Sequence, residues 1–289
     1  MPVPNMARFV RHYLLAVQFF TRIPVTGALA EWVGYSPAML RLSAAHFPGV
    51  GVLVGGLVAA LSAALLWALP NTPLAPLVVA TLGTAFGILL TGAFHEDGLA
   101  DVADGLGGSL DRNRALEIMK DSRVGAFGAI AIVMALLVKV ALVAMLAGGG
   151  WVSLCAALLM AHGVSRTWPL LLIRLLPHVG DVAGSKSKPL ADQISGTSLA
   201  VAFLWCFGLL ALALSWHAAM DSIAFQGSPP AAVRAVAAAL LASGLAFVML
   251  WRWFARRLQG FTGDCLGTVQ QVCELAFYLG LLLGGPVVA

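Results

Sequence analysis

Acidic side chains are concentrated in one short stretch of this sequence. The chain has 13 aspartate and glutamate residues, and seven of them lie between positions 96 and 121. These seven are Glu96, Asp97, Asp101, Asp104, Asp111, Glu117 and Asp121. Because like charges at close range repel one another, crowded carboxylates need a partner of opposite charge. Mg²⁺ is a common partner, since it is often bound by a few carboxylates together with substrate phosphates.

Three of these aspartates have helical spacing. Asp97, Asp101 and Asp104 stand at positions i, i+4 and i+7, which places them within an arc of roughly 60° on an α-helix. Such a stripe can present its oxygens to one ion or to a pair of ions. Glycines at positions 98, 105, 107 and 108 leave the backbone open to a bulky anion. A solvated acidic loop is the alternative, and the absence of lysine between the aspartates argues against it.

The composition excludes a soluble globular protein. Hydrophobic residues make up 60% of the 289 positions and charged residues only 10%, whereas soluble domains have about 25% charged residues. We therefore predict an all-α fold, a polytopic integral membrane helix bundle that forms a single domain over residues 1–289. The net charge of +4 is attributed to basic residues at the membrane edges and does not indicate nucleic-acid binding.

Apolar runs of the length needed to cross a membrane, about 20 residues, predict about seven transmembrane helices. We place them at about 49–69, 74–94, 127–147, 151–176, 198–218, 232–251 and 268–288. The shorter run at 8–21 predicts an interfacial or re-entrant amphipathic segment that ends at Arg22 and Pro24.

The distribution of lysine and arginine predicts the orientation. Basic residues occur in the N-terminal segment and in the loops at about 95–126, 177–197 and 252–267, and the intervening turns have none. Because basic loops remain on the cytoplasmic side, we expect a cytoplasmic N-terminus and active-site loops on the cytoplasmic face. A transporter instead tends to place its polar groups near the membrane midplane, between inverted repeats. No convincing repeat is present in this sequence.

Four ionisable residues fall within predicted spans, where a charge is costly and a partner is expected. They are Lys139, His162, Arg166 and Arg174. Arg166 is in the inner half of its span and could reach the acidic stretch or a phosphate. Lys139 fits a structural ion pair or a substrate contact equally well, and His162 fits a hydrogen-bonded packing residue. Arg174 can extend to the membrane edge.

Longer motifs surround the acidic stretch. Residues 20–25 read Phe-Thr-Arg-Ile-Pro-Val, residues 91–105 read Thr-Gly-Ala-Phe-His-Glu-Asp-Gly-Leu-Ala-Asp-Val-Ala-Asp-Gly, and residues 116–125 read Leu-Glu-Ile-Met-Lys-Asp-Ser-Arg-Val-Gly. Ser165-Arg166, Gly263-Asp264 and Glu274 follow later. With these motifs the sequence resembles the cobalamin synthase family, the adenosylcobinamide-GDP ribazoletransferases.

The sequence departs from the family pattern at a few positions. Glu96 stands where the family often has leucine, and Cys265 stands where it often has threonine. Residues 178–189 depart most, and they include Lys186 and Lys188.

The resemblance implies the last assembly step of cobalamin. A hydroxyl of α-ribazole, or of its phosphate, attacks the cobinamide-side phosphorus of adenosylcobinamide-GDP, and GMP leaves. The resemblance also implies Mg²⁺ as cofactor, in agreement with the acidic stretch, because phosphoryl transfer depends on neutralising phosphate charge. The expected partners are these small-molecule substrates and the lipid bilayer of the bacterial cytoplasmic (inner) membrane. No nucleic acid is expected, and a homo-oligomer is left open.

Roles for individual residues follow as hypotheses. The predicted metal ligands are Asp97, Asp101, Asp104, Asp121 and Asp264. Asp104 and Asp121 are also the catalytic candidates, Asp121 as the base for the attacking hydroxyl. The candidate substrate-binding residues are Arg22, His95, Glu96, Lys120, Arg123 and Arg166, among which the cations donate to the diphosphate. Pairing of Arg123 with an acidic neighbour and helix packing by His95 stay open as alternatives.

Two other classes of function stay open. A divalent-cation transporter would use the acidic stretch as its ion path and would hold residues 97–104 near the membrane midplane. A non-catalytic membrane scaffold would bind a basic partner on the acidic loop. Such a scaffold would tolerate aspartate-to-glutamate changes, which the geometry of a metal site does not.

Overall fold

The chain is helical in the part that the structure describes. The structure is a computed structural model, and it describes residues 5–180, 193–220 and 229–285. Within these ranges there is no β-strand, and a single isolated bridge joins His178 to Phe261. The predicted all-α fold is confirmed. Lys186 and Lys188 lie outside the described residues.

Thirteen α-helices occupy the described ranges. They are α1 (Asn5–Phe20), α2 (Gly27–Val33), α3 (Pro37–Ser43), α4 (Phe47–Ala68), α5 (Ala75–Thr91), α6 (Phe94–Gly108), α7 (Arg112–Ile118), α8 (Ala126–Gly148), α9 (Trp151–Ser165), α10 (Trp168–Leu175), α11 (Gly196–Met220), α12 (Pro229–Arg257) and α13 (Gly263–Gly284). A 3₁₀ turn joins α3 to α4.

Six stretches of the described residues are long and apolar enough to cross a membrane. They are Pro37–Ala68, Ala126–Gly148, Trp151–Leu175, Gly196–Ala213, Ala231–Arg257 and Gly263–Gly284. A seventh is reached if α5 and α6 count together, although the two helices meet at 90°. The predicted polytopic membrane bundle of about seven spans is therefore confirmed.

The predicted N-terminal segment is the amphipathic helix α1. It buries Leu15, Val17 and Phe20, whereas Met6 near its start is 73% exposed. The buried face packs against α3 and α4. At the end of the helix, Thr21 donates its hydroxyl to the Val17 carbonyl at 2.7 Å.

A sharp bend separates α5 from α6. Gly92 and Ala93 both adopt the left-handed conformation, with φ angles of 67° and 59°. This conformation is uncommon for a residue with a Cβ, so Ala93 holds local strain that the surrounding contacts balance. The Arg22 backbone N–H donates to the Leu90 carbonyl at 2.7 Å and ties the segment after α1 to the bend. Because of this bend, α6 leaves the line of α5.

Helix α6 crosses the N-terminal ends of α8 and α13. On the α13 side, the Thr268 hydroxyl donates to the Gly98 carbonyl at 3.0 Å. A Cβ on Gly98 would lie 2.8 Å from the Asp264 carbonyl oxygen, so the two helices approach this closely only because residue 98 is glycine. On the α8 side, α6 meets Gly125 and Gly128. The acidic helix is thus held against the first turns of two membrane spans.

Candidate active site

The acidic stripe lies on α6, in agreement with its helical spacing. Its three carboxylates differ in exposure. Asp97 is exposed, Asp101 is half-buried, and Asp104 is only 7% exposed. The stripe therefore runs from the surface, at the N-terminal end of α6, toward the buried contact between α6 and α8.

Asp264 joins this stripe from a distant part of the sequence. It stands in the first turn of α13, where its backbone contacts Gly98 of α6. The negative charges of Asp264, Asp97 and Asp104 all act on Asp101, and among them that of Asp264 acts most strongly. The charge of Asp97 also acts on Asp264. The structure thus brings Asp97, Asp101 and Asp264 into one electrostatic environment.

Asp104 has a different environment from Asp97 and Asp101, the other two aspartates of the stripe. Its Oδ2 accepts a hydrogen bond from the Gly125 backbone N–H at 2.7 Å, and its Oδ1 accepts one from the Gly128 N–H at 2.8 Å. Both carboxylate oxygens are therefore bound to the backbone at the start of α8.

Asp121 is paired with Arg123. Its Oδ1 accepts from Arg123 Nε at 3.0 Å and from the Arg123 backbone N–H at 3.1 Å, and its Oδ2 accepts from Nη2 at 2.6 Å. These hydrogen bonds lower the pKa of Asp121 from its ordinary value to about 2, and a carboxylate with so low a pKa is a weak base. The pairing of Arg123 with an acidic neighbour, which the sequence leaves open, is the arrangement observed.

The other candidate cations differ in their access to solvent. Arg22 is exposed and lies on the bend between α5 and α6, where a Cβ on Gly92 would be 2.9 Å from the Arg22 Cζ. Lys120 is exposed in the turn after α7. Arg166 is only 2% exposed, and its Nη1 donates to the His162 carbonyl at 3.0 Å. Arg22 and Lys120 can therefore meet a substrate directly, whereas Arg166 belongs to the interior.

His95 and Glu96 are both buried. His95 is 1% exposed, and its ring stacks on that of Phe47 with 5.8 Å between the centroids. Glu96 is 8% exposed, and its Oε1 accepts a hydrogen bond from Gln271 Nε2 at 2.9 Å. His95 Nε2 and Glu96 Oε2 have no hydrogen-bond partner among the described residues. In this structure both residues contribute to helix packing, which is one of the two roles left open for His95.

A buried polar cluster centred on Glu274 was not predicted. Lys139 Nζ lies 2.8 Å from Glu274 Oε1, to which the Tyr278 hydroxyl donates at 3.1 Å. Gln270 donates to Glu274 Oε2 at 2.6 Å, and His162 Nε2 lies 3.7 Å from Oε1. Lys139 therefore forms a structural ion pair, one of its two predicted roles. The polar residues within the apolar run of α13 were the sequence signal for this cluster.

The five predicted metal ligands do not all converge. No three His, Cys, Asp or Glu side chains within the described ranges are arranged closely enough to bind a metal ion by themselves. Both carboxylate oxygens of Asp104 are bound to α8 and those of Asp121 to Arg123. This leaves Asp97, Asp101 and Asp264, of which Asp264 accepts a hydrogen bond from the Thr262 hydroxyl at 3.1 Å. Mg²⁺ often takes one or two protein carboxylates and completes its coordination with water and substrate phosphates. One or two of the three remaining aspartates, together with substrate phosphates, would be enough for a site of that kind.

Comparison with known families decides what kind of protein this is. The sequence profile of cobalamin-5-phosphate synthase matches residues 12–282, which is nearly the whole chain. The chain belongs to the cobalamin-5-phosphate synthase family. The resemblance inferred from residues 91–105 and 116–125 is thereby confirmed. No solved structure matches the chain.

Curated relatives are similar to this cobalamin-5-phosphate synthase family member over nearly its full length. A protein of Albidiferax ferrireducens is 67% identical over 279 residues, which cover 96% of this chain and 100% of the relative. A protein of Polaromonas naphthalenivorans is 62% identical, with 96% and 99% covered. One of Vibrio cholerae is 42% identical, with 96% and 97% covered. All three are named adenosylcobinamide-GDP ribazoletransferase.

Proposed function

We propose that the chain joins adenosylcobinamide-GDP to α-ribazole, or to its phosphate, and releases GMP. Its family and the names of its relatives support this proposal. The observation that carries it is the approach of Asp264 to Asp97 and Asp101, where the first turn of α13 meets α6. A group of carboxylates on α6 and α13, with an exposed arginine at the bend before α6, is suited to a diphosphate that binds together with a divalent metal ion.

Asp97, Asp101 and Asp264 are the residues that would hold Mg²⁺ together with diphosphate oxygens. Held by these residues, the ion would supply positive charge that stabilises the negative charge of the diphosphate. The protein keeps these mutually repelling carboxylates together through the contact of α6 with α13, which includes the hydrogen bond from Thr268 to the Gly98 carbonyl. The carboxylates are therefore gathered before the substrate arrives.

Arg22 is the cation that we propose for the diphosphate. Its guanidinium is exposed and lies against Gly92, immediately before α6. Hydrogen bonds from an ionised donor to phosphate oxygens are short and strong. Lys120 is the second candidate, since it is also exposed and adjoins Asp121. Arg166, which is buried, would act on this site only through the helices around it.

Asp121 and Arg123 supply a proton acceptor whose strength depends on their pairing. Helix α7 packs on α6 where Met119 meets Gly105, so Asp121 follows directly after this contact. A phosphate that drew Arg123 away would free the Asp121 oxygens, and the pKa of Asp121 would rise toward its ordinary value of about 3.9. Asp121 would then accept the proton of the attacking hydroxyl more readily.

For the location we propose the bacterial cytoplasmic membrane, with the N-terminus and the acidic helix on the cytoplasmic side. The alternation of basic and non-basic loops supports this orientation. Both the nucleotide product and the ribazole substrate are water-soluble, so a site at the ends of the spans gives them direct access from the cytoplasm.

A divalent-cation transporter is the second candidate. It is favoured by the charged residues buried within the spans, Lys139, Arg166 and Glu274, because ionisable groups in spans often mark ion paths. Two observations weigh against it. Lys139 and Glu274 neutralise each other at 2.8 Å, and the acidic stripe lies at the ends of α8 and α13.

The decisive experiment is GMP release by the purified protein. The protein is supplied with adenosylcobinamide-GDP and with α-ribazole or its phosphate, in the presence and absence of Mg²⁺. We expect GMP release that requires both Mg²⁺ and the ribazole, and its loss in Asp101→Asn. Glu117→Gln is the matched control, since Glu117 is an exposed carboxylate of the same acidic stretch, paired with Arg114.

The same preparation in sealed vesicles tests the transporter. Metal flux without nucleotide, together with no GMP release under any of these conditions, would overturn the proposed function. GMP release from the wild-type protein without flux would exclude the transporter.

A further inference from the structure

The first turn of α8 has no side-chain cap of its own. Its N-cap residue is Gly125, and 23 mostly apolar residues follow. The first backbone N–H groups of a helix have no partner inside the helix and need one from outside. The carboxylate of Asp104 supplies that partner from another helix, since it accepts hydrogen bonds from the Gly125 and Gly128 N–H groups. A negative charge is also favourable at the positive end of a helix.

The two glycines leave the space that this carboxylate occupies. A Cβ on Gly125 would lie 2.9 Å from the Asp104 Cγ. A Cβ on Gly128 would also lie 2.9 Å from that atom, and at the same distance from the Ala100 carbonyl oxygen. Any larger residue at position 128 would therefore push α8 away from α6 or displace the Asp104 side chain. The buried carboxylate and the two glycines form one unit.

Asp104 thus differs in its contacts from Asp101, which precedes it by one turn on the same helix. Asp101 is half-buried beside Asp97 and Asp264 and accepts no hydrogen bond from a backbone N–H of the described residues, whereas both oxygens of Asp104 accept hydrogen bonds from backbone N–H groups. We propose that Asp104 is a positioning residue that anchors α6 to the first turn of α8 and so holds Asp101 in place. It is not a metal ligand or a base. This assignment depends on the proposed function in one respect only, namely that the site positioned by Asp104 binds the metal ion and the diphosphate.

The test compares variants of Asp104, Gly128 and Asp101 in the full-length protein. Thermal unfolding is measured without Mg²⁺ or substrate, and Mn²⁺ binding is measured directly as a probe of the metal site. We expect Asp104→Asn and Gly128→Ala to lower the metal-free Tm by similar amounts. In the double variant the two losses should not add, because both changes break the same contact.

The Mn²⁺ affinity shows whether Asp104 positions the site or binds the metal ion itself. We expect Asp104→Asn and Gly128→Ala to change Mn²⁺ affinity equally, by less than about threefold, and to lower kcat for GMP release. Asp101→Asn should leave the metal-free Tm at or above that of the wild type, since it removes repulsion, and should weaken Mn²⁺ binding at least tenfold. Glu117→Gln serves as the control for both measurements.

Two results would overturn the proposal. One is an Asp104→Asn protein with wild-type Tm and Mn²⁺ binding weakened as much as in Asp101→Asn. The other is a Gly128→Ala protein with unchanged Tm and kcat, a result that remains decisive if Asp104→Asn does not fold. Tm and Mn²⁺ binding need no substrate, so a wild-type protein without GMP release would contradict the proposed function and leave this test valid.

Discussion

Lys139 and Glu274 form an ion pair between α8 and α13, with 2.8 Å between Nζ and Oε1. Both side chains are buried, with exposures of 8% and 1%. Gln270 and Tyr278 donate to the same carboxylate. Because α13 also brings Asp264 to α6, this interior cluster helps to fix the helix that completes the proposed site.

Glu274→Gln is expected to lower the free energy of unfolding by about 3–5 kcal/mol, because it leaves a buried lysine without its counter-charge. Adding Lys139→Met should recover part of this loss. Thermal unfolding in detergent measures both effects, and a double variant less stable than Glu274→Gln would contradict the prediction. The exposed pair of Arg114 and Glu117 is the control, since breaking it should cost less than about 1 kcal/mol.

Gly98→Ala should separate α6 from α13, because the new Cβ would lie 2.8 Å from the Asp264 carbonyl oxygen. We expect a loss of roughly 1–3 kcal/mol of stability and at least a tenfold loss of GMP release, since small displacements of reacting groups slow catalysis strongly. Gly108→Ala, on the same helix, is the control because its Cβ would meet only Ile118 Cδ1 at 3.5 Å. Equal activity in both variants would argue that the contact at Gly98 does not matter for the site.

Arg22→Gln should lower kcat/KM for adenosylcobinamide-GDP by roughly 10- to 100-fold while the Tm stays unchanged. The reason is the loss of a charged hydrogen bond to phosphate, typically about 1.5–3 kcal/mol. Steady-state kinetics at saturating Mg²⁺ checks this. Arg8→Gln removes another exposed arginine of the N-terminal segment and should have no effect. The role of Arg22 is disproved if the two variants behave alike.

Arg123→Gln should make activity more sensitive to acid. Arg123 lowers the pKa of Asp121 to about 2, so the free enzyme keeps this carboxylate deprotonated even at low pH. Without Arg123 the pKa rises toward about 3.9, and the acid limb of kcat/KM should move up toward about pH 4. Arg114→Gln is the control, because the Arg114 charge is the weakest of the influences on Asp121. If the acid limb of the kcat/KM profile does not move in Arg123→Gln, Asp121 is excluded as the base.

Periodicity and composition predict much of this fold. The spacing of Asp97, Asp101 and Asp104 predicts a helix, and the structure has one there. The apolar runs predict the spans, and the basic loops predict an orientation that remains a prediction. The bend at Gly92 and Ala93 could not be predicted, because a helical pattern does not report where two helices meet at 90°.

The partners of individual side chains were harder to predict than the helices. Helical spacing correctly places Asp104 on the same face of α6 as Asp97 and Asp101. The contacts of Asp104 are instead decided by the first turn of α8, which only tertiary packing brings next to α6. For Lys139 the sequence left an ion pair and a substrate contact open, since Glu274 lies far away in the chain. Pairing across a bundle depends on which helices become neighbours, and no local pattern contains that information.

The contact between Gly98 and Asp264 joins an early helix to α13, the last helix described. Because α6 is synthesised long before α13, a nascent chain first has an incomplete set of these carboxylates. At the proposed site, affinity for metal and substrate would therefore arise only after Asp264 has been synthesised and α13 has packed against α6. An unfinished chain would have two of the three carboxylates of the proposed site, those of Asp97 and Asp101, and would therefore be inactive in the proposed reaction.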